Sequence, residues 1–206
     1  MRYSENIKEI AEFEPDYMGF IFYDKSPRFV GEDLSVMVLE DLPENVKKVG
    51  VFVNDTKKNI IDKVLKYNLD FVQLHGDETP DFCKDIRMSK VGVIKAIRIN
   101  LIEDIRITEK YIEAVDFFLF DTKGEKFGGN GMKFDWKLLE NYNSEVPFFL
   151  SGGLGINDLD PYLKKKHESL HAFDINSGFE IEPGLKDEQV VEKAIGNLKK
   201  ANEKSV

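Results

Sequence analysis

Seven short runs of apolar, β-branched and aromatic residues recur along the chain, separated by stretches whose apolar positions fall at helical spacing. The runs are Tyr17–Phe22, Lys48–Val53, Phe71–His75, Val91–Ile97, Phe117–Asp121, Pro147–Ser151 and His171–Ser177. They show little polar alternation, which is how strands covered on both faces read. Between them, Ile60, Ile61, Val64 and Leu65 form a stripe after Thr56. Leu101, Ile102, Ile105 and Ile112 form another after Asn100, and Val190, Val191, Ala194, Ile195 and Leu198 a third after Asp187. Each stripe begins at a residue whose side chain can accept a hydrogen bond from free helical N–H groups. Repeated strand–helix units predict parallel strands joined by helical crossovers.

The expected fold class is therefore α/β, a TIM (β/α)8 barrel, over one domain spanning residues 1–206, since no Gly/Ser- or Pro-rich linker divides the chain. Such a barrel needs eight strands. The chain opens directly on a helical pattern, with Ser4 as the expected cap and Ile7, Ile10 and Ala11 as the stripe. The strand that should feed this helix is absent from these 206 residues. An open, doubly wound seven-strand sheet is the alternative architecture.

Composition narrows the class. At 42% hydrophobic with 16 Phe, the chain has material for a large core. Its net charge of −9 disfavours non-specific nucleic-acid binding, which needs clustered basic residues. Cys83 is the single cysteine, so no internal disulfide and no Cys/His metal spacing is expected. The first residues lack the apolar segment of a signal peptide, and no apolar run approaches the ~18 residues of a membrane span. A cytoplasmic protein that engages no membrane is expected.

Function in a barrel gathers at the C-terminal ends of the strands. Arg28 follows the first run and can grip a carboxylate or phosphate by two parallel bonds; its plainer role is a solvated surface arginine. His75 ends the third run, where it either meets an anionic ligand or caps its own loop. Asp121 follows four apolar residues, so it should be partly desolvated, which suits a general acid. An Asp that caps the next loop is equally ordinary. The Gly-rich segment from Phe127 to Met132 reads as a loop close to a ligand or simply as a flexible connection, with Asp135 opening a short helix.

Two glycine loops carry more weight. Ser151-Gly152-Gly153-Leu154-Gly155 and Asn176-Ser177-Gly178 follow the last two runs, where this fold builds its recurrent phosphate site from backbone N–H groups. Gly152, Gly153, Ser177 and Gly178 are the candidate phosphate ligands.

Together the segments GFIFYDKSPRFV, VGVFVN, VQLHGDE, FDTKGEKFGGNGMKFDW, LSGGL and DINSGFEIEPGLKD, in this order across almost the whole chain, resemble the phosphoribosylanthranilate isomerase family. The resemblance implies an Amadori rearrangement of a phosphoribosylated anthranilate, without cofactor or metal. It implies Asp121 as the general acid that opens the sugar ring and Arg28 as the holder of the anthranilate carboxylate. His75 and Asp174 would contact the substrate, a small phosphosugar, and the four loop residues its phosphate. The family's base is a cysteine in a Lys-x-Cys-Gly motif on the first strand, and that motif is absent here. Cys83 lies in a helical stretch of the outer ring and is expected to be a packing thiol. Two readings follow: a natural chain that starts further upstream, or a shortened phosphosugar-binding domain that no longer isomerises. A rival barrel, resembling indole-glycerol-phosphate synthase, would need a lysine acid and a glutamate base at strand ends. Lys95 is its only foothold. The sequence leaves the oligomeric state open.

Overall fold

The computed structural model describes residues 1–31, 34–122, 135–163 and 167–203. The Gly-rich segment 127–132 lies outside them. Seven parallel strands alternate with helices: α1 (Ser4–Ala11), β1 (Tyr17–Ile21), α2 (Val36–Glu40), β2 (Lys47–Phe52), α3 (Lys57–Tyr67), β3 (Phe71–Leu74), α4 (Pro80–Arg87), β4 (Gly92–Ile99), α5 (Ile102–Arg106), β5 (Phe117–Thr122), β6 (Phe148–Leu150), α6 (Ile156–Leu163) and β7 (Leu170–Phe173). A two-stranded antiparallel hairpin, β8 (Glu180–Glu182) and β9 (Leu185–Lys186), precedes the last helix, α7 (Glu188–Glu203).

The sheet order follows the sequence from β1 to β7. A doubly wound sheet would reverse its order part-way, so that alternative is set aside. The sheet curls. The Tyr17 ring on β1 touches Phe149 on β6 at 5.0 Å between centroids and His171 on β7 at 5.7 Å, and its hydroxyl lies 2.7 Å from His171 Nε2. β1 and β7 are brought near each other, yet among the described residues no strand ladder joins them. The seven strands thus form a barrel open along one seam, and the Met1 nitrogen donates to the Gly19 carbonyl beside that seam at 2.7 Å.

Period-two geometry sends alternate side chains of each strand inward and outward. Val49, Ile94, Ala96, Leu119 and Phe149 form a small cluster in the lumen. Phe20, Phe52, Phe118, Phe120 and Phe148 join the larger cluster between the strands and the helices. Apolar residues on both faces explain why the runs lacked alternation.

Several local expectations need correction. Ser4 is the first helical residue of α1 rather than its cap; Tyr3 precedes the helix and makes no side-chain cap bond. Leu65 is exposed on α3, and Leu101 and Ile112 lie exposed at the ends of the short α5 and the 3-10 turn that follows it. Asn100 does not cap α5. Instead the Asp104 carboxylate turns back to accept from the N–H groups of Asn100 and Leu101, both at 2.9 Å. The last run ends at Phe173, not Ser177, because Ser177–Phe179 winds into a 3-10 turn. Thr56 and Asp187 do cap as expected, accepting from Asn59 N and Val190 N at 3.2 Å each. Asp135 likewise accepts from Lys137 N at 3.0 Å and opens the 3-10 turn Trp136–Asn141. Among the described residues no helix is long and apolar enough to cross a membrane.

Candidate active site

The parallel ladder continues one residue beyond several strands and thereby sets the rim. His75 N donates to Phe52 O, Ser151 N to Phe120 O and Asp174 N to Leu150 O, at 2.8–2.9 Å. A residue held on the ladder has fixed backbone, so these side chains stand at the C-terminal mouth with little freedom. Below them the lumen is apolar, closed by Ile94, Leu119 and Phe149.

A cavity of about 750 Å³ opens at this mouth. Arg28, His75, Asp121, Gly152, Gly153, Asp174 and Ser177 all line it. Gly178 does not line it directly; its Cα packs so closely on Leu154 that a side chain there would strike the Leu154 carbonyl oxygen. The cavity also runs down the seam between β1 and β7, where Ile10 of α1 and Val191 and Ile195 of α7 form its back wall.

In the middle of the site His75 Nε2 lies 3.2 Å from Asp121 Oδ2, and the other Asp121 oxygen accepts from Thr122 N at 2.8 Å. Gln73, one inward position below, bonds His75 Nδ1 at 2.7 Å. Across the mouth the Ser151 hydroxyl donates to Asp174 Oδ2 at 3.0 Å. Burial pushes the Asp174 carboxyl above the usual range, against the pull of Ser151 and Lys186, and the neighbouring Asp121 adds to the rise.

Arg28 is largely withdrawn from solvent. Its backbone N–H donates to Ser26 Oγ at 3.1 Å, and its guanidinium is clamped by Glu180 of β8, with Nη2 to Oε2 at 2.6 Å. The solvated-surface alternative for Arg28 does not hold, because its side chain is only 12% exposed. Gly152 and Gly153 adopt φ of +93° and +66°, a region open to glycine at no steric cost. Their loop lies beside the 3-10 turn of Ser177, and both face the cavity.

Two candidates are brought elsewhere. Cys83 sits on α4, fully buried, and burial pushes its thiol up to about 12. Lys95 pairs with Glu78, whose Oε2 lies 3.1 Å from Nζ and which stands beyond the end of β3. Both are buried away from the cavity, and Nζ also donates to the carbonyls of Leu74, Gly76 and Ala96. This lysine is saturated by structural acceptors, which removes the rival barrel's foothold.

Sequence reading passed over Gln73, Ser151, Glu180 and Lys186. The last two had a signal: Pro183-Gly184 inside Glu-Ile-Glu-Pro-Gly-Leu-Lys is hairpin chemistry, and its register sets Glu180 opposite Lys186.

The model of the N-(5'-phosphoribosyl)anthranilate (PRA) isomerase family matches residues 1–197. The chain belongs to that family. It is 43% identical over 188 residues to the N-(5'-phosphoribosyl)anthranilate isomerase of Parabacteroides distasonis, covering 91% of this chain and 85% of the relative. It is 41% identical over 199 residues to that of Phocaeicola vulgatus, covering 97% and 95%. Among solved structures, the phosphoribosyl anthranilate isomerase of Thermotoga maritima superposes with a TM-score of 0.84 at 31% identity, over 97% of this chain and 96% of that one. A phosphoribosyl anthranilate isomerase in complex with reduced 1-(o-carboxyphenylamino)-1-deoxyribulose 5-phosphate superposes at 0.81 with 30% identity, over 97% and 95%.

Proposed function

We propose that the chain is a tryptophan-biosynthetic isomerase that converts N-(5-phosphoribosyl)anthranilate to 1-(2-carboxyphenylamino)-1-deoxyribulose 5-phosphate. One observation carries the reading: an arginine, a carboxylate beside a histidine, and two glycine loops line a single cavity. That set matches a ligand that carries a carboxylate, a sugar ring and a phosphate. Arg28 holds the anthranilate carboxylate, and the N–H groups of Gly152, Gly153 and Gly178 with the Ser177 hydroxyl hold the phosphate. Asp121 protonates the furanose oxygen as the ring opens, with His75 and Asp174 against the sugar. No cofactor or metal enters this scheme, and a cytoplasmic, single-domain enzyme acting on a small molecule rather than on nucleic acid or membrane fits it.

The second step removes a proton from C2′ and needs a base. Cys83 cannot serve, since its thiol is buried in α4 and held near 12. The open seam between β1 and β7 gives room for an eighth strand that closes the barrel and carries the family's cysteine into the cavity. A second reading, a phosphosugar-binding barrel without turnover, is favoured by the same fact that no cysteine lines the cavity.

Turnover of freshly generated phosphoribosylanthranilate separates the two. The 206-residue chain is compared with a form extended upstream by a strand bearing Lys-x-Cys-Gly. Isomerisation by the extended form, with little or none by the shorter one, is expected. Binding of a reduced product analogue by both forms, with turnover by neither, would leave the binding reading and remove Asp121 from catalysis.

A further inference from the structure

The β8–β9 hairpin places two charged side chains beside the site that the scheme above leaves without a role. Glu180 is 3% exposed and Lys186 9%. Glu180 receives Arg28 Nε at 3.0 and 2.8 Å and Nη2 at 2.6 Å. Its Oε1 also accepts from Lys186 Nζ at 3.1 Å and from Gly184 N at 3.2 Å. Lys186 Nζ goes on to the Asn176 side-chain oxygen at 2.8 Å and to the Asn176 carbonyl at 3.1 Å, immediately before the phosphate-loop residue Ser177. The Lys186 backbone is itself anchored to α1, exchanging two hydrogen bonds with the Asn6 side chain at 2.8 and 3.1 Å.

A guanidinium carries five N–H groups in a fixed plane. Glu180 takes the Nε–Nη2 side. The two hydrogens on Nη1 have no partner among the described residues, and Arg28 lines the cavity. We propose that Glu180 is a positioning residue: it grips one side of Arg28 so that the Nη1–Nη2 edge faces the cavity as a ready fork for a substrate carboxylate, and through Lys186 it fixes that fork relative to the phosphate loop. The inference rests on the isomerase reading above.

Electrostatics supports the arrangement. Arg28 and Lys186 are two cations close together, and one buried carboxylate lies between them. Burial alone would push Glu180 up, but Arg28 and Lys186 outweigh it and hold its carboxyl below the usual range. A long arginine without such a clamp must lose its freedom on binding, and much of the strength of a two-point carboxylate contact is spent on that ordering. A clamp set in advance moves the cost from binding to folding.

The test uses two reduced product analogues, one with the ortho carboxylate and one in which hydrogen replaces it, titrated calorimetrically into the full chain and into Glu180→Gln. The wild-type chain is expected to prefer the carboxylated analogue by at least about tenfold, as a charged two-point contact should. Glu180→Gln, which keeps the shape but not the charge, should bring that preference to within about twofold while leaving affinity for the other analogue nearly unchanged. Undiminished preference in Glu180→Gln overturns the proposal. So does equal weakening of both analogues, the mark of a purely structural role, or equal tightening, the mark of added positive charge. Failure of the wild-type chain to bind either analogue overturns the isomerase reading itself. If Glu180→Gln does not fold, Glu180→Asp carries the same comparison, because its side chain, one methylene shorter, draws the carboxylate back from Nε and Nη2.

Discussion

His75 Nε2 stands 3.2 Å from Asp121 Oδ2, while the other ring nitrogen meets the Gln73 amide nitrogen at 2.7 Å. An amide nitrogen only donates. With Nδ1 accepting, the ring proton sits on Nε2 and points at Asp121. Gln73 on β3, His75 one residue beyond it and Asp121 on β5 therefore form one hydrogen-bonded line, and Asp121 is held by a donor on each oxygen.

Asp121 is the group whose acid chemistry is removed by a substitution of nearly equal volume, although an asparagine there accepts from only one of its two donors. Asp121→Asn keeps the volume and can still bond His75, but it has no proton to give at the furanose oxygen. In whichever form of the chain turns over, kcat should fall by about 10²–10⁴, the ordinary worth of a positioned acid. Affinity for the reduced product analogue should change little, since binding is carried by Arg28 and the glycine loops. Steady-state kinetics beside calorimetry would check this. Unchanged kcat would exclude Asp121 as the acid.

The phosphate loop makes a backbone prediction. At Gly152 the positive φ is unfavourable for any residue with a Cβ, and a Cβ there would collide with Thr122 Oγ1 and come within 3.0 Å of Thr122 N. Gly152→Ala must therefore shift both the loop and the end of β5. It should cost about 1–2 kcal/mol of stability. It should also weaken phosphate-bearing ligands at least about tenfold, because the N–H groups lose their common aim. Urea titration and calorimetry with the product analogue measure the two effects. A variant that binds as the wild-type chain does would exclude this loop from phosphate recognition.

What the sequence revealed and what it hid follow from range. The seven strands were legible because burial on both faces writes itself into consecutive residues such as Phe117–Phe120. The glycine loops were legible because backbone chemistry is local. The stripe from Leu101 to Ile112 misled because a five-residue α5 and a 3-10 turn share the spacing of one longer helix. Glu180 was hidden for a different reason. Its partner Arg28 lies 152 residues away, and no local pattern encodes a contact that the barrel alone creates. Lys95 shows the converse: inside an apolar run it read as a possible acid, but pleat parity turns it out of the lumen onto Glu78.

Asp174 offers a test in which stability and function oppose each other. Its carboxyl is raised mainly by burial, so the folded chain resists ionising it. A folded value above the unfolded one means that the group's contribution is fully present below the unfolded value, about pH 3.9. It is lost as pH rises through the folded value. Asp174→Asn does not titrate and can still accept from Ser151. The variant should therefore match the wild-type chain near pH 3 and gain on it as pH rises. The gain at pH 8 should be about 1 kcal/mol, typical of relief at a functional site. Thermal midpoints at the two pH values measure it, and product-analogue affinity at pH 8 should fall in the same variant if the carboxylate meets the sugar. A wild-type chain that is the more stable at pH 8 would mean that the ionised carboxylate is well paired, and the opposition between stability and binding at this position would not exist.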